Sequence, residues 1–262
     1  ILGRERIAKG LDDIIYRSTE GNPYFIEEIL KNLLDKGVLD PTGENWTGNA
    51  DDATKNLPST VKAVLIDRVS RLAPVLAKTL ENASIIGLEF TFPILKAISE
   101  MTEDELVDVL DSLIKLKLLS EETAGGQEKY RFTQSLLREV IYENLSHTRR
   151  RMLHKKVAAA VESLPGGKPD DSVYQLAYQY SSAGEAQKSA VYLAKAGLKA
   201  MKAYALEEAR GYYGSALEVL GKLERTSENR SLEEESLLSL GDVNYYLGEW
   251  ESAVDAFSMA SS

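Results

Sequence analysis

The stretch from Leu57 to Leu145 constrains the fold most, because four runs of helical periodicity follow one another within it. Apolar residues recur every three or four positions in the runs that begin near Ser59, Pro74 and Thr102. Serine suits the N-cap of a helix and proline suits its first turn. Thr102 and Glu105 add a capping box, in which the hydroxyl accepts a backbone hydrogen bond and the carboxylate reaches back. These features predict a mainly helical region.

A glycine pair interrupts the helical pattern of this stretch. Gly125-Gly126 separates two short segments, 118–122 and 129–133, which we predict as strands. Glycine permits the positive φ that the tip of a hairpin requires. A further helical run follows and ends at Leu145. Four helices, a hairpin and a helix are the element order of a winged-helix domain with a flanking helix, and we assign residues 57–145 to such a domain.

The residues before this stretch predict a small helical subdomain, 1–56. Helical periodicity covers 4–17 and then the segment from about Tyr24 to Lys36. Gly21-Asn22-Pro23 separates the two helices, because proline pushes the preceding residue toward extended backbone. A polar loop with one apolar anchor, Trp46, then leads to residue 57.

Everything after residue 145 is predicted to be helical. One long helix covers about 148–164, and Pro165-Gly166-Gly167-Lys168-Pro169 is a linker, so that 146–169 forms a connecting segment. The remaining residues, 170–262, form a third region. We predict its helices at about 171–183, 186–203, 205–222, 231–247 and 250–261.

This last region resembles tetratricopeptide repeats, and we predict an α-solenoid. Small residues that let paired helices approach closely, and aromatic residues that fill the gaps, recur in register. The spacing between units exceeds the usual repeat of about 34 residues, and we attribute the surplus to a polar insert at 224–230. The alternative is an irregular helical bundle. The last unit carries Leu240, Gly241, Trp250, Ala253, Phe257 and Ala260, the unit before it carries Gly197, Leu206, Ala209, Tyr213 and Ala216, and a weaker unit carries Tyr180, Gly184, Ser189, Tyr192 and Ala196.

The composition excludes several classes of site. The chain has no cysteine, which rules out disulfides and thiolate metal sites. No phosphate-binding Gly-x-x-x-x-Gly-Lys-Ser/Thr sequence occurs. The two histidines, His147 and His154, lie too far apart on one helix to share a metal ion, and we expect both at the surface. We therefore predict no catalytic residues and no metal site in this chain.

The predicted recognition helix of the winged-helix domain argues against DNA binding. A helix that faces phosphates needs positive charge, whereas the chain carries a formal net charge of −10. The basic cluster at 149–156 lies outside the hairpin. The helix after Thr102 carries Glu103, Asp104, Glu105, Asp108 and Asp111.

The segment Thr19-Glu20-Gly21-Asn22-Pro23-Tyr24-Phe25-Ile26-Glu27-Glu28 resembles the lid of STAND-type signalling ATPases, which are related to AAA proteins. The resemblance continues through Trp46, Leu57-Pro58, Ile66-Asp67-Arg68 and residues 130–145 into the repeats. It implies a helical lid, a winged-helix domain used as a switch element, and repeats. The P-loop domain of that family is absent from this chain, so we expect it in cis in a longer protein.

The resemblance also implies a nucleotide contact. Gly21 and Pro23, with Asn22 between them, match a Gly-x-Pro turn that touches the adenine edge of ATP or ADP, held with Mg²⁺ by the P-loop domain. This chain would bind no cofactor by itself. Relatives often carry histidine where this sequence has Gln134, so a nucleotide-sensing role at that position is in doubt.

These observations predict the regulatory, non-catalytic half of a signal-transduction ATPase, in which partner sensing by the repeats is coupled to nucleotide state. By resemblance, Asp242, Tyr245 and Tyr246 face a basic or amphipathic segment of a protein or peptide partner, although these tyrosines would instead pack against a further repeat if one follows. The alternative functions are a winged-helix DNA-binding regulator and a scaffold for protein–protein interaction. The absence of a signal peptide and of long apolar runs predicts a cytoplasmic protein with no membrane contact, and its ends suggest a piece of a longer chain.

Overall fold

The structure, a computed structural model, describes residues 16, 23–35, 61–124, 127–164 and 172–261. These residues are mainly helical with one small sheet, as predicted. No helix in the described ranges is long and apolar enough to cross a membrane. The elements up to residue 144 are α1 (Pro23–Asp35), α2 (Val61–Ser70), α3 (Pro74–Ile86), β1 (Glu89–Thr91), α4 (Phe92–Ile98), α5 (Glu103–Lys115), β2 (Leu119–Ala124), β3 (Gln127–Phe132) and α6 (Ser135–Asn144). They are followed by α7 (His147–Ser163), α8 (Val173–Ala183), α9 (Ala186–Lys202), α10 (Leu206–Leu220), α11 (Ser227–Leu247) and α12 (Trp250–Ala260).

The predicted hairpin is present, and a third strand joins it. The strand order is β1-β3-β2, and β1 pairs antiparallel with β3 so that Phe90 lies opposite Tyr130. Their rings stack with centroids 5.8 Å apart, which fixes the register of the pair. Strand β1 was not predicted, because three residues between two helices are too short for a periodic signal. The hairpin tip, Gly125-Gly126, lies outside the described residues.

The capping box at the start of α5 is confirmed. The Thr102 backbone N–H donates to Glu105 Oε2 at 2.8 Å, and the Glu105 N–H donates to Thr102 Oγ1 at 3.3 Å. These two bonds satisfy backbone donors that the first turn of a helix otherwise leaves unpaired. The hydrogen bonds from Thr102 also lower the pKa of the Glu105 carboxyl.

Two compact units divide the chain. The first comprises the described residues of 1–84, with 108–120 and 132–144. Within it α2 packs against α1 and α6, and Val64 and Leu65 of α2 are buried. Lys62 also pairs with Glu139 and Glu143 of α6 at 3.1 and 2.9 Å, but exposed pairs of this kind contribute little stability. Burial of the apolar side chains therefore holds this unit together.

The second unit comprises the described residues of 85–107, 121–131 and 145–262. In it α4 packs against α7, and each helix from α7 to α12 packs against the next. This serial packing is the arrangement predicted for the repeats. The predicted domain boundaries at residues 56, 145 and 169 remain predictions.

The polar insert predicted at 224–230 was partly wrong. Residues 227–230 are the first turn of α11, which therefore begins earlier than the predicted 231. Thr226 is the N-cap of this helix, and its side chain accepts a hydrogen bond from the Asn229 N–H at 3.2 Å. A threonine three residues before a backbone donor is an ordinary N-terminal signal, and it extends the helix into the polar stretch.

Glycine sets the spacing within two helix pairs. A Cβ placed on Gly197 of α9 would lie 2.9 Å from the ring of Tyr213 on α10. A Cβ on Gly241 of α11 would overlap the ring of Phe257 on α12 in the same way. Each ring therefore occupies the space that a side chain would take, as the small and aromatic pattern predicted. The weaker predicted unit shows a different contact, because Tyr180 and Tyr192 stack ring on ring at 5.4 Å.

Candidate partner-binding groove

The turn between α9 and α10 contains a tyrosine in a left-handed conformation. Tyr204 has φ +58° and is 87% exposed. The Ala205 N–H donates to the Ala200 carbonyl at 3.0 Å, the bond that closes a helix end over a left-handed residue. The same bond closes α8 and α11, where the left-handed residue is Gly184 or Gly248. Tyrosine thus stands where glycine would be free of Cβ strain.

An open groove of about 260 Å³ lies beside this turn. Its floor is apolar, since Met201 and Leu206 also pack on the buried cluster of Ala200, Ala209, Tyr213 and Val243. Because α9 and α11 are neighbours, side chains from both helices border the groove. The residues that line it are Leu198, Met201, Lys202, Tyr204, Leu206 and Tyr246.

The three residues predicted to face a partner lie in different surroundings. Asp242, Tyr245 and Tyr246 are all exposed on α11. Tyr246 lines the groove. Tyr245 packs edge-on against Trp250, with ring centroids 5.0 Å apart, and edge-on against Tyr246 at 5.8 Å. Of the three predicted residues, Tyr246 is therefore the one that lines the groove together with side chains of α9. Tyr204, Leu198 and Met201 also line it, but the sequence did not predict them as partner residues.

A second open groove, of about 540 Å³, lies between the start of α11 and the end of α12. Two arginines and two glutamates line it together with Leu237, Met259 and Ala260. It lacks the aromatic residues that dominate binding surfaces. We therefore regard the groove beside Tyr204 as the candidate partner site.

The predicted nucleotide-edge turn falls mostly outside the described residues. Gly21 and Asn22 are not described, and Pro23 is the exposed first residue of α1. Proline suits this position because its missing N–H would have no partner in the first turn of a helix. Gln134 precedes α6, and its buried Oε1 has no hydrogen-bond partner in the described part of the chain. In that same part no three His, Cys, Asp or Glu side chains are grouped so that they could hold a metal ion.

One carboxylate joins α7, α8 and α9. Glu162 accepts hydrogen bonds from Tyr180 at 2.5 Å, Tyr192 at 2.7 Å and Lys188 at 2.6 Å. Partial burial would raise the pKa of Glu162, but these three donors lower it to about 2. Burial and the hydrogen bond to Glu162 raise the pKa of Tyr192 to about 12. The network stabilises the start of the repeats, and no local pattern in the sequence indicated it.

The prediction for His154 was wrong. His147 is exposed, but His154 is 1% exposed, and its Nδ1 lies 2.6 Å from Gln179 Oε1. Gln179 Nε2 donates to the Ile85 carbonyl at 3.1 Å, which leaves Oε1 as the acceptor, so that Nδ1 carries the proton. Burial is tolerated because the ring nitrogen has this partner. The helical spacing of Leu153, Val157 and Val161 indicated the buried face without showing that His154 shares it.

No protein-family model matches the chain. An uncharacterized protein of Rhizobium meliloti (strain 1021) is 24% identical to it over 234 residues. The alignment covers 89% of this chain, which spans only 22% of the length of that relative.

Proposed function

We propose that this chain is a non-catalytic regulatory segment whose helical repeats bind a protein or peptide partner in the groove beside Tyr204. The observation that carries this proposal is the groove itself, which combines an apolar floor with two exposed tyrosine rings. Tyrosine supplies a large contact area at low cost in side-chain entropy and is enriched at the centres of interfaces. By the resemblance to STAND-type ATPases, the partner signal would act on a nucleotide-binding domain outside this chain.

The resemblance to STAND-type ATPases supports the second half of the proposal. In this proposal the lid and the winged-helix region pass the state of the repeats to a P-loop domain in cis, which holds ATP or ADP with Mg²⁺, in a cytoplasmic protein. The relative is several times longer than the matched region, which covers 22% of its length, so a further domain would fit within it. In the longer protein, Pro23→Ala should weaken nucleotide binding about tenfold if its contact with the base is worth about 1.4 kcal/mol. If Pro23→Ala left the nucleotide affinity unchanged, the proposed nucleotide contact would be wrong, and the proposed partner groove would be unaffected.

Charge disfavours the DNA-binding alternative. Glu103, Asp104, Asp108 and Asp111 are exposed on α5, the helix that a winged-helix domain would place against DNA. Glu121, Glu122 and Glu128 are exposed on the hairpin. Both elements would repel phosphates.

Peptide selection tests the groove directly. We would select peptides from a displayed library on the wild-type chain and measure their dissociation constants by calorimetry. Tyr246→Ala should weaken binding by about tenfold or more, since truncated aromatic anchors cost the most at interfaces. Met259→Ala, which removes an exposed apolar side chain from the second groove, is the control and should leave binding unchanged. Peptides that respond to Met259→Ala and not to Tyr246→Ala would contradict the proposed site.

A further inference from the structure

We propose that the groove recognises an acidic amphipathic segment of its partner. In this proposal Tyr204 is an anchor for the partner, and this contact accounts for a tyrosine in a strained turn. In this arrangement an apolar side chain lies on Met201 and Leu206 beneath the rings of Tyr204 and Tyr246, and a neighbouring carboxylate pairs with Lys202. The inference rests on the proposed function, because it names the chemistry of the partner that this groove binds.

Tyr204 holds a strained conformation that its own packing does not offset. The equivalent turns after α8 and α11 use glycine, which adopts the left-handed region without a steric cost. A tyrosine there is strained, and little of its side chain is packed, since 87% of the residue is exposed. The ring borders the groove, so contact with a partner would explain why the position is not glycine.

The charge of α9 favours an acidic partner. Although the whole chain carries a net charge of −10, α9 has four lysines and no carboxylate between residues 186 and 202. Lys195 and Lys199 lie over the rings of Tyr192 and Tyr174, at 5.1 and 5.2 Å from the ring centroids. These cation–π contacts stabilise the positions of the two ammonium groups. Lys202, one helical turn after Lys199, lines the groove. Lys202 therefore gives this groove a positive charge on a chain whose net charge is −10.

The combination of lining residues selects the partner. Five of the six lining side chains are apolar or aromatic, and Lys202 is the charged one. A purely apolar peptide would leave the ammonium without a counter-charge, and a basic peptide would bring like charge against it. A helix with leucines on one face and glutamates beside them offers both the apolar side chain and the carboxylate.

Two synthetic peptides of about 15 residues test the inference, a length at which such a helix can form on binding. Both carry the same leucine face, one with glutamates and the other with lysines at the remaining positions. By fluorescence anisotropy at about 0.1 M salt, the glutamate peptide should bind the wild-type chain at least about tenfold more tightly than the lysine peptide. Lys202→Glu should reverse this preference. Equal binding, tighter binding of the lysine peptide, or binding of neither would overturn the inference.

Tyr204→Gly tests the anchor with two readouts of opposite sign. The variant should melt about 2–4 °C higher, because glycine relieves the left-handed strain, and yet bind the glutamate peptide several-fold more weakly. Lys117, the other left-handed residue that is not glycine in the described ranges, ends α5 with the same type of bond and supplies the control. Lys117→Gly should also raise the melting temperature but leave binding unchanged. A Tyr204→Gly variant that binds the glutamate peptide as tightly as wild type would show that the Tyr204 ring is not an anchor.

The proposed function and this inference can fail separately. If library-selected peptides lose affinity on Tyr246→Ala but are basic, the groove is a partner site and the acidic-partner inference is wrong. If Tyr246→Ala weakens the binding of no selected peptide, the proposed function is wrong, whatever the charge of the peptides.

Discussion

At the scale of single residues, small changes in size decide how the repeats pack. Gly197 and Gly241 lie against aromatic rings, whereas an added Cβ at Gly211 or Gly214 on α10 would meet no atom within 4 Å. The same residue type therefore has opposite roles within one region. At the first two positions glycine is required by close approach, and at the other two it only costs helix stability.

Alanine substitution distinguishes these roles. Gly197→Ala and Gly241→Ala should each lower the free energy of unfolding by about 1–3 kcal/mol, because the new methyl group overlaps a ring in a packed contact. Gly211→Ala is the matched control and should raise it by about 0.5–1 kcal/mol, since alanine is the better helix former. Urea denaturation followed by circular dichroism measures all three. A neutral Gly241→Ala would mean that Phe257 moves aside freely.

The Glu162 network predicts a dependence of stability on pH. Because the folded pKa of Glu162 is lowered to about 2, its contribution is fully present above the unfolded value of about 4.3 and is lost as the pH falls toward 2. Tyr192 has a raised pKa, so its contribution is present below about pH 10 and is lost as the pH rises toward 12. The network is therefore intact between these limits.

Glu162→Gln should reveal how much stability the Glu162 carboxylate loses at acid pH. At pH 7 the variant should be less stable than wild type by about 1 kcal/mol, a modest figure because the carboxylate is partly exposed to solvent. The difference should shrink between about pH 4 and pH 2, as the wild-type carboxyl becomes protonated. Denaturant midpoints of both proteins across this range measure it. A difference that stays constant with pH would indicate a packing effect and not an ionic one.

At the scale of elements, local signals in the sequence set where helices begin. The capping box of α5 needs only Thr102 and Glu105, three residues apart, and it forms as predicted. The N-cap of α7 is Ser146, whose side chain accepts from the Arg149 N–H at 3.2 Å. Such caps act within one helical turn, so they do not depend on the rest of the fold.

Removing the α5 cap should therefore have a local cost. Thr102→Ala should lower the free energy of unfolding by about 1 kcal/mol, because a backbone donor in the first turn loses its partner. Ser112→Ala, within the same helix, is the control and should be neutral or slightly stabilising, since its hydroxyl only bonds back to the Asp108 carbonyl. Thermal melting compares the two variants. Equal effects would mean that the capping bonds do not contribute.

At the scale of the whole molecule, charge separates the possible partners. The net charge is −10, the exposed face of α5 is acidic, and the lysine row of α9 is a local exception. Long-range repulsion of this kind acts on any polyanion that approaches α5. We therefore expect nucleic acid to bind this surface poorly.

Duplex DNA should bind weakly at physiological salt, with a dissociation constant above about 100 µM. Anisotropy of a labelled duplex measures this, and replacing Glu103, Asp104 and Asp108 by lysine supplies the comparison. The variant should bind more tightly than wild type if charge alone prevents contact. Sequence-selective binding by the wild-type chain that is lost on changing these residues would favour the DNA-binding alternative.

The sequence by itself determined the helices, the hairpin and the repeat pattern, because periodicity and caps depend on neighbours a few residues apart. It also indicated Tyr246 as a surface residue of the repeats. Only the tertiary structure decided that β1 pairs with β3, that His154 is buried against Gln179, and that Tyr204 borders a groove with Tyr246. Each of these depends on residues brought together from separate elements. Their contacts are chosen by packing, which local propensity does not encode.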